Sequence, residues 1–271
     1  MATALSKQSS FNRLFWLRIN YERLVNLVQK EIRARYKFTF LGWLWIILTP
    51  IIQALVISFF LIKVIGLKTP DANDSLTLPI IILSGLTVWN FISRTMTQSM
   101  NAFILNRNLV KNNYLPLFLL PLSNTIVKFI DYLLDTTVLI IIIFILGLGV
   151  KINLLALIFL SFTIFLFVYA LSLISSLINV FIRDFGHLIS FFLSIWFWSS
   201  PIFYPASLIA PELWFVNLNP VVHILASYRQ IVLTNQLDLE KLIKVFGLAI
   251  IFLVIANIFF MSNRKKVYDV E

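Results

Sequence analysis

Lys128, Asp131 and Asp135 stand at i, i+3 and i+7 inside a long apolar run, so on a helix they share one face. Ionisable groups at membrane depth are costly and turn toward protein or a water-filled path. Two arrangements fit them. One is a proton or ion relay; the other is a buried Lys128–Asp131 pair with Asp135 near the outer interface. The second is favoured, because no other apolar run supplies matching carboxylates. Arg94 is a candidate partner for this face.

Little else in the chain could make or break bonds. None of the 7 glycines precedes a Lys-Ser or Lys-Thr pair, so no phosphate-binding loop is present. Neither a GxSxG elbow nor an HExxH pair occurs. With 0 Cys there is no disulfide framework, thiol nucleophile or Cys-ligated zinc site. His187 and His223 are too far apart in sequence to suggest an imidazole-rich metal site. No catalytic, metal-binding or cofactor-binding residue is expected.

Aromatic side chains are the other conspicuous group. Phe191, Phe192, Trp196, Phe197, Trp198, Phe203 and Tyr204 crowd one run, and Trp43, Trp45, Trp89 and Phe91 lie near the ends of others. A membrane-interface belt explains most of them. A carbohydrate pathway is the sharper alternative, since sugar C–H faces pack on rings while hydroxyls find amides and hydroxyl side chains.

The elements that carry these residues follow from composition. Of 271 residues, 60% are hydrophobic and 13% charged, with 26 Phe among them; a soluble domain is nearer 45–50% apolar and about 25% charged. A soluble core cannot hide that much apolar surface. A disordered tail, a secreted disulfide scaffold and an ordinary cytosolic enzyme are excluded, and the chain reads as an all-α integral membrane protein. The first apolar stretch, Leu14 to Leu17, is short and arginine-flanked, so no signal peptide is expected.

Crossing roughly 30 Å of hydrocarbon takes about 20 mostly apolar residues. Six runs are expected to do so, at about 43–65, 76–97, 121–150, 154–181, 188–204 and 242–261. Lys7, Arg13, Arg18, Arg23, Lys30, Arg33, Arg35 and Lys37 precede the first; Arg107, Lys111, Arg183, Arg264, Lys265 and Lys266 fall on the same side. Fewer basic residues lie opposite: Lys63, Lys68, Lys151, Arg229, Lys241 and Lys244. The net charge of +10 is thus skewed, and the positive-inside rule puts both termini in the cytoplasm.

Over 11–40, Leu14, Leu17, Tyr21, Leu24, Val28 and Ile32 recur at helical spacing opposite Arg18, Glu22, Asn26, Gln29, Arg33 and Lys37. That pattern predicts an amphipathic helix lying in the cytoplasmic interface. Between 206 and 240, the pieces Leu213–Val216, Val221–Ala226 and Ile231–Leu233 are each too short to span. Broken by Pro211, Asn217, Asn219 and Pro220, they read as short re-entrant helices before the last span.

The order of several short motifs resembles the membrane subunit of ABC-2 type exporters, in the branch that exports O-antigen and related surface polysaccharides such as capsule and teichoic acid. They begin with Arg35-Tyr36-Lys37, Leu41-Gly42-Trp43-Leu44-Trp45 and Pro50. Leu83-Ser84-Gly85-Leu86 follows with Trp89-Asn90-Phe91, then Asn106-Arg107-Asn108-Leu109-Val110-Lys111, Tyr114, Pro116, Leu120 and Pro121. Arg183-Asp184, Ser200-Pro201-Ile202-Phe203-Tyr204-Pro205, Asn219-Pro220 and Tyr228-Arg229 complete the series. The branch's usual acidic-basic pair is replaced by Leu117 and Phe118. Asp131 matches an acidic position often seen in the branch, which favours a structural role.

The resemblance implies a single transmembrane domain over 1–271, half of a transporter that works as a homodimer in the cytoplasmic (inner) membrane of a bacterium. Its chemistry would come from two separate ATP-binding ABC subunits, where ATP and Mg would be used; no nucleic acid is expected. The cargo would be a lipid-linked polysaccharide, in O-antigen or lipopolysaccharide biosynthesis or a related route. ATPase coupling is expected through the 101–118 segment, with Asn106, Arg107, Asn108, Lys111 and Tyr114, helped by Glu31, Arg33 and Arg35 and by the Arg183-Asp184 turn. Channel and gate residues are expected among Tyr36, Lys37, Trp43, Trp45, Trp196, Trp198, Phe203 and Tyr204, with walls from the first and fifth spans. Arg33, Arg35 and Lys37 cluster where a lipid pyrophosphate would meet the membrane surface. Two other functions remain open: an ABC-2 exporter of a drug or lipid, and an ion-coupled secondary transporter built on Lys128, Asp131 and Asp135.

Overall fold

A computed structural model describes residues 18–34, 42, 44–64, 77–111, 115–146, 153–182, 184–203, 216, 218–234 and 236–270. Among these there is no strand. Helix α1 covers 18–34. It is followed by α2 (Leu44–Phe59), which runs into a π-helical turn at Phe60–Val64, then α3 (Thr77–Ser99), the short α4 (Ala102–Leu105) and α5 (Arg107–Lys111), and α6 (Leu119–Ile145). The chain continues through α7 (Leu154–Phe181), α8 (Phe185–Trp198), α9 (Pro220–Leu233) and α10 (Leu239–Val270).

Among the described residues, four stretches are long and apolar enough to cross a membrane: Leu44–Val64, Leu78–Ser99, Leu154–Phe181 and Leu239–Arg264. The protein is therefore a multi-pass membrane protein. Helix α6 has 27 residues, about 40 Å at 1.5 Å per residue, yet it carries Lys128, Asp131 and Asp135. Helix α8 differs from expectation. It has 14 residues, about 21 Å, and ends at Trp198 where the sequence predicts a span continuing to Tyr204. Ser199 and Ser200 interrupt the apolar run and Pro201 cannot continue the helix, so the backbone leaves it at Ser199.

Helices α3 and α7 are the inner pair. Small polar residues let them approach and bond: the Ser172 hydroxyl donates to Ser99 Oγ at 2.7 Å and lies 3.1 Å from the Pro121 carbonyl, tying α7 to α3 and to the start of α6. One apolar cluster gathers Val88, Ile92, Tyr132, Leu139, Leu160, Ile164, Phe167, Leu225 and Tyr228 from α3, α6, α7 and α9. A second gathers Leu27, Phe103, Val110, Leu120, Leu173, Leu177, Ala256 and Phe260 around α4 and α5. Gly42, with φ +52°, stands in the turn before α2, a left-handed conformation that suits glycine.

Packing places two further elements. Helix α1 docks on the second cluster through Leu24 and Leu27, with Asn20 also buried, while Tyr21 is 68% exposed. Of the expected apolar stripe, Leu24 is packed, Val28 and Ile32 are half-buried and Tyr21 is exposed; Leu14 and Leu17 lie outside the described residues. The pieces Val221–Ala226 and Ile231–Leu233, expected to be separate, are one helix, α9, with Asn219 as cap and Pro220 at its first turn. Val221, Ile224, Leu225, Tyr228, Ile231 and Val232 form its buried face.

Candidate functional site

The α4/α5 end of the bundle is built on a firm base. Phe103 and Val110 are buried beneath the two short helices, and Leu27 of α1 joins them. Polar bonds lock the pieces together. Lys30 Nζ donates to Asn106 Oδ1 at 2.9 Å, and the Asn106 amide donates to the Ala102 carbonyl at 2.9 Å. The Gln98 amide donates to Glu31 at 3.0 Å, joining α1 to the end of α3. Asn179 of α7 donates to the Met100 carbonyl at 2.8 Å and to Asn101 Oδ1 at 3.2 Å. A Cβ on Gly186 would lie 3.6 Å from Met100, so the turn holding Asp184 abuts the same segment.

Above that base the surface is exposed. Ile104, Leu105, Arg107, Asn108 and Lys111 face outward, Leu105 at 76% exposure. An apolar knob next to exposed basic residues suits a protein partner better than water. Of the residues expected to couple here, Glu31 and Asn106 are brought into the bonded base. Arg107, Asn108 and Lys111 lie on the exposed surface, and Arg33 and Asp184 are exposed beside it. Arg35, Tyr114 and Arg183 lie outside the described residues. Lys30, Gln98, Ile104 and Leu105 were missed; the helical spacing of Leu24, Leu27 and Glu31 was the available signal for the docked face.

Along one side of the molecule, α2, α3 and α8 enclose an open groove of about 600 Å³. Trp89, Phe197 and Trp198 offer rings to it, and Gln53, Asn90 and Ser194 offer amides and a hydroxyl. Of the expected wall residues, Trp198 lines this groove. Trp45 is exposed at the start of α2, and Phe203 is buried against Phe197, their centroids 4.8 Å apart. Trp196 turns away from the groove: its ring meets Trp89 edge-on at 5.9 Å and its indole N–H donates to Asn219 Oδ1 at 2.9 Å. Tyr36, Lys37, Trp43 and Tyr204 lie outside the described residues.

Asn219 is the joint between α8 and α9. The same Oδ1 caps Val221 N at 3.0 Å, and its amide donates to Ser200 Oγ at 2.9 Å. With Met96, Leu171 and Phe252 it lines one cavity, level with the middles of α7 and α10. Arg229, expected from charge counting on the outer flank, is instead drawn into the bundle. Its guanidinium donates to the carbonyls of Pro201 and Ile202, both at 2.7 Å, to Ile81 at 3.1 Å and to Ser84 Oγ at 3.2 Å. The five fixed N–H donors of arginine suit such a fork.

Lys128 and Asp131 stand 3.9 Å apart, both largely buried. Asp135, at 4% exposure, lines a small void with Asn90, Arg94, Lys128 and Asp131. Nearby, the Tyr228 hydroxyl donates to Thr136 at 3.0 Å, and Tyr132 bonds Ser161 at 3.2 Å. Among the described residues no group of His, Asp or Glu could hold a metal ion.

Three relatives share most of the chain. An O-antigen export system permease protein RfbA from Myxococcus xanthus is 29% identical over 247 residues, covering 90% of this chain and 93% of that protein. Two proteins of the same name from Klebsiella pneumoniae are 24% and 26% identical, over 92% and 81% of this chain and 95% and 83% of their own lengths. The profile of the ABC-2 type transporter family matches residues 22–233, which takes in the packed α4/α5 end, the groove and α9. The chain belongs to the ABC-2 type transporter family.

Proposed function

We propose that this chain is the membrane-spanning half of an ATP-driven exporter that moves a lipid-linked polysaccharide, of the O-antigen kind, out of the cytoplasm. The observation that carries the reading is the exposed Ile104–Leu105 knob followed along the chain by exposed Arg107 and Lys111, set on a bonded and buried base. Such a surface receives a separate ATP-hydrolysing subunit, and α1 and the Asp184 turn relay its movement. ATP and Mg act in that subunit, and this chain performs no reaction of its own.

In this reading the α4/α5 end lies in the cytoplasm of a bacterial inner membrane, with both termini on that side and α1 at the interface. Six passages are made by α2, α3, α6, α7, α8 with the chain after it, and α10. Helix α9 enters from the outer face and stops near mid-depth, where Asn219 meets Trp196. Two copies place their α2–α8 grooves face to face to form a continuous conduit. The rings and amides of that groove suit a glycan better than a purely apolar drug or lipid. The Lys128–Asp131 pair supports a structural role rather than ion coupling.

The test is capture of the partner ATPase together with export in cells. Leu105→Asp and Lys111→Glu should each weaken capture at least tenfold and abolish surface glycan while membrane levels hold. Full capture and export by both variants would overturn the docking role.

A further inference from the structure

Helices α9 and α10 are joined through 234–238 and run antiparallel, and they enclose a cavity of about 480 Å³. His223, Ala226 and Ser227 supply one wall, at i, i+3 and i+4 of α9. Lys241, Lys244, Val245 and Leu248 supply the other, at i, i+3, i+4 and i+7 of α10. Lys241 stands nearest the connection. Lys244, Val245 and Ser227 come next, and His223 and Leu248 lie about two turns in.

The Ser227 hydroxyl makes this more than a gap between helices. It is 3% exposed and has no hydrogen-bond partner. Many helical hydroxyls elsewhere in the molecule bond back to a carbonyl one turn earlier, as Ser190 does to Gly186 and Thr234 to Gln230; Ser227, like Thr95 of α3, does not. A buried hydroxyl left without a partner is costly, so a ligand that accepts from Ser227 gains by satisfying it. The cations at the mouth are held in place. Lys241 pairs with Asp238 at 3.1 Å and Lys244 with Glu240, and both ammonium groups stay more than half exposed. Around them the surface is apolar: Leu239, Ile243 and Ile251 of α10 are exposed.

We propose that this cavity binds a phosphate-bearing membrane lipid. Its phosphate sits on Lys241 and Lys244 and accepts a hydrogen bond from Ser227, its glycerol esters lie at the depth of His223, and one acyl chain follows Val245 and Leu248. The carboxylates of Asp238 and Glu240 beside the mouth favour a headgroup that also carries an ammonium. Cationic heads above an apolar slot match a lipid rather than a soluble anion. The proposal rests on the placement of α10 across the membrane; the proposed orientation makes this the outer leaflet.

Native mass spectrometry of the purified full transporter reads the site directly, after loading with phosphatidylethanolamine or with diacylglycerol of the same chains. The wild type should retain phosphatidylethanolamine at least tenfold better than diacylglycerol. Lys241→Gln with Lys244→Gln should remove that preference, and Ser227→Leu, which fills the slot, should remove retention. The double lysine variant alters exposed side chains, so its folding is not at risk. Equal retention of the two lipids, or an undiminished preference in the lysine variant, would overturn the proposal. So would inorganic phosphate displacing the lipid at matched concentration, which assigns the site to a free anion. None of these outcomes bears on export, which is measured separately.

Discussion

The Arg229 guanidinium occupies the space that a side chain on Gly85 would need. A Cβ at that glycine would lie 2.8 Å from Arg229 Nη2 and 2.4 Å from the Ile202 carbonyl oxygen. The chain leaving α8 is thereby clamped between α3 and α9. Gly85→Ala must push backbone or guanidinium aside and should cost about 1–3 kcal/mol, as overpacking does. Gly247 of α10 has open space around its Cβ, so Gly247→Ala should stabilise by about 0.5–1 kcal/mol. Thermal unfolding in detergent should move in opposite directions for the two.

Removing the guanidinium itself tests the clamp from the other side. Arg229→Met leaves the Pro201 and Ile202 carbonyls without the donors they now have at 2.7 Å, at roughly 1–3 kcal/mol for each buried group. Arg229→Lys should restore only part of the loss, because an ammonium cannot span the same fork. The check is protease sensitivity of the chain between α8 and α9, highest for the Met variant.

Much of this was open to reading from the sequence, and the exceptions have physical causes. Long helices such as α3 and α7 declare themselves by length and hydropathy. The early end of α8 was overrun because Ile202 to Tyr204 extended the apolar span past Ser199-Ser200-Pro201, although a proline there ends a helix. Arg229 was set among flanking charges because charge counting is blind to a buried fork. Yet Asn219-Pro220 before apolar residues at helical spacing already marked the start of α9. The exposed α4/α5 surface was legible as a basic motif, whereas its base depends on Lys30 and Asn106, distant in sequence. The Lys128–Asp131 pair was legible from spacing, and Arg94 as a partner of that face; the part of Asn90 beside Asp135 was not, because no local pattern links them.

Asn219 serves three contacts at once, to Trp196, Ser200 and Val221 N. Asn219→Ala should lose the helix cap, typically about 1 kcal/mol, and free the Trp196 indole. A red shift in tryptophan emission with lowered thermal stability is expected. Asn219→Asp keeps the acceptor but not the amide donor, and should fall between.

The Lys128–Asp131 contact predicts a coupled pair. Asp131→Leu or Lys128→Met alone should destabilise more than the two together, with a coupling of about 1–3 kcal/mol in a double-mutant cycle. Additive losses would show the two groups to be independent.

At the start of α10, Asp238 accepts from Lys241 N at 3.0 Å, and this bond with the Lys241 ammonium holds its carboxyl below the usual 3.8. A lowered folded value means the contact helps at and above ordinary carboxylate pH and is lost as pH falls through the lowered value. The melting temperature should therefore drop slightly on acidification below about pH 4, and Asp238→Asn should blunt that drop.

The central claim is that this chain is a conduit half moved by a separate motor that docks on α4 and α5. Reconstitution in liposomes, with lipid-linked glycan supplied on one face, tests it most directly. The account predicts that the purified protein alone moves no glycan, and that transport begins when the partner ATPase and ATP are added and stops with Leu105→Asp. Glycan crossing at full rate without that ATPase, or undiminished in the Leu105→Asp protein, would contradict it.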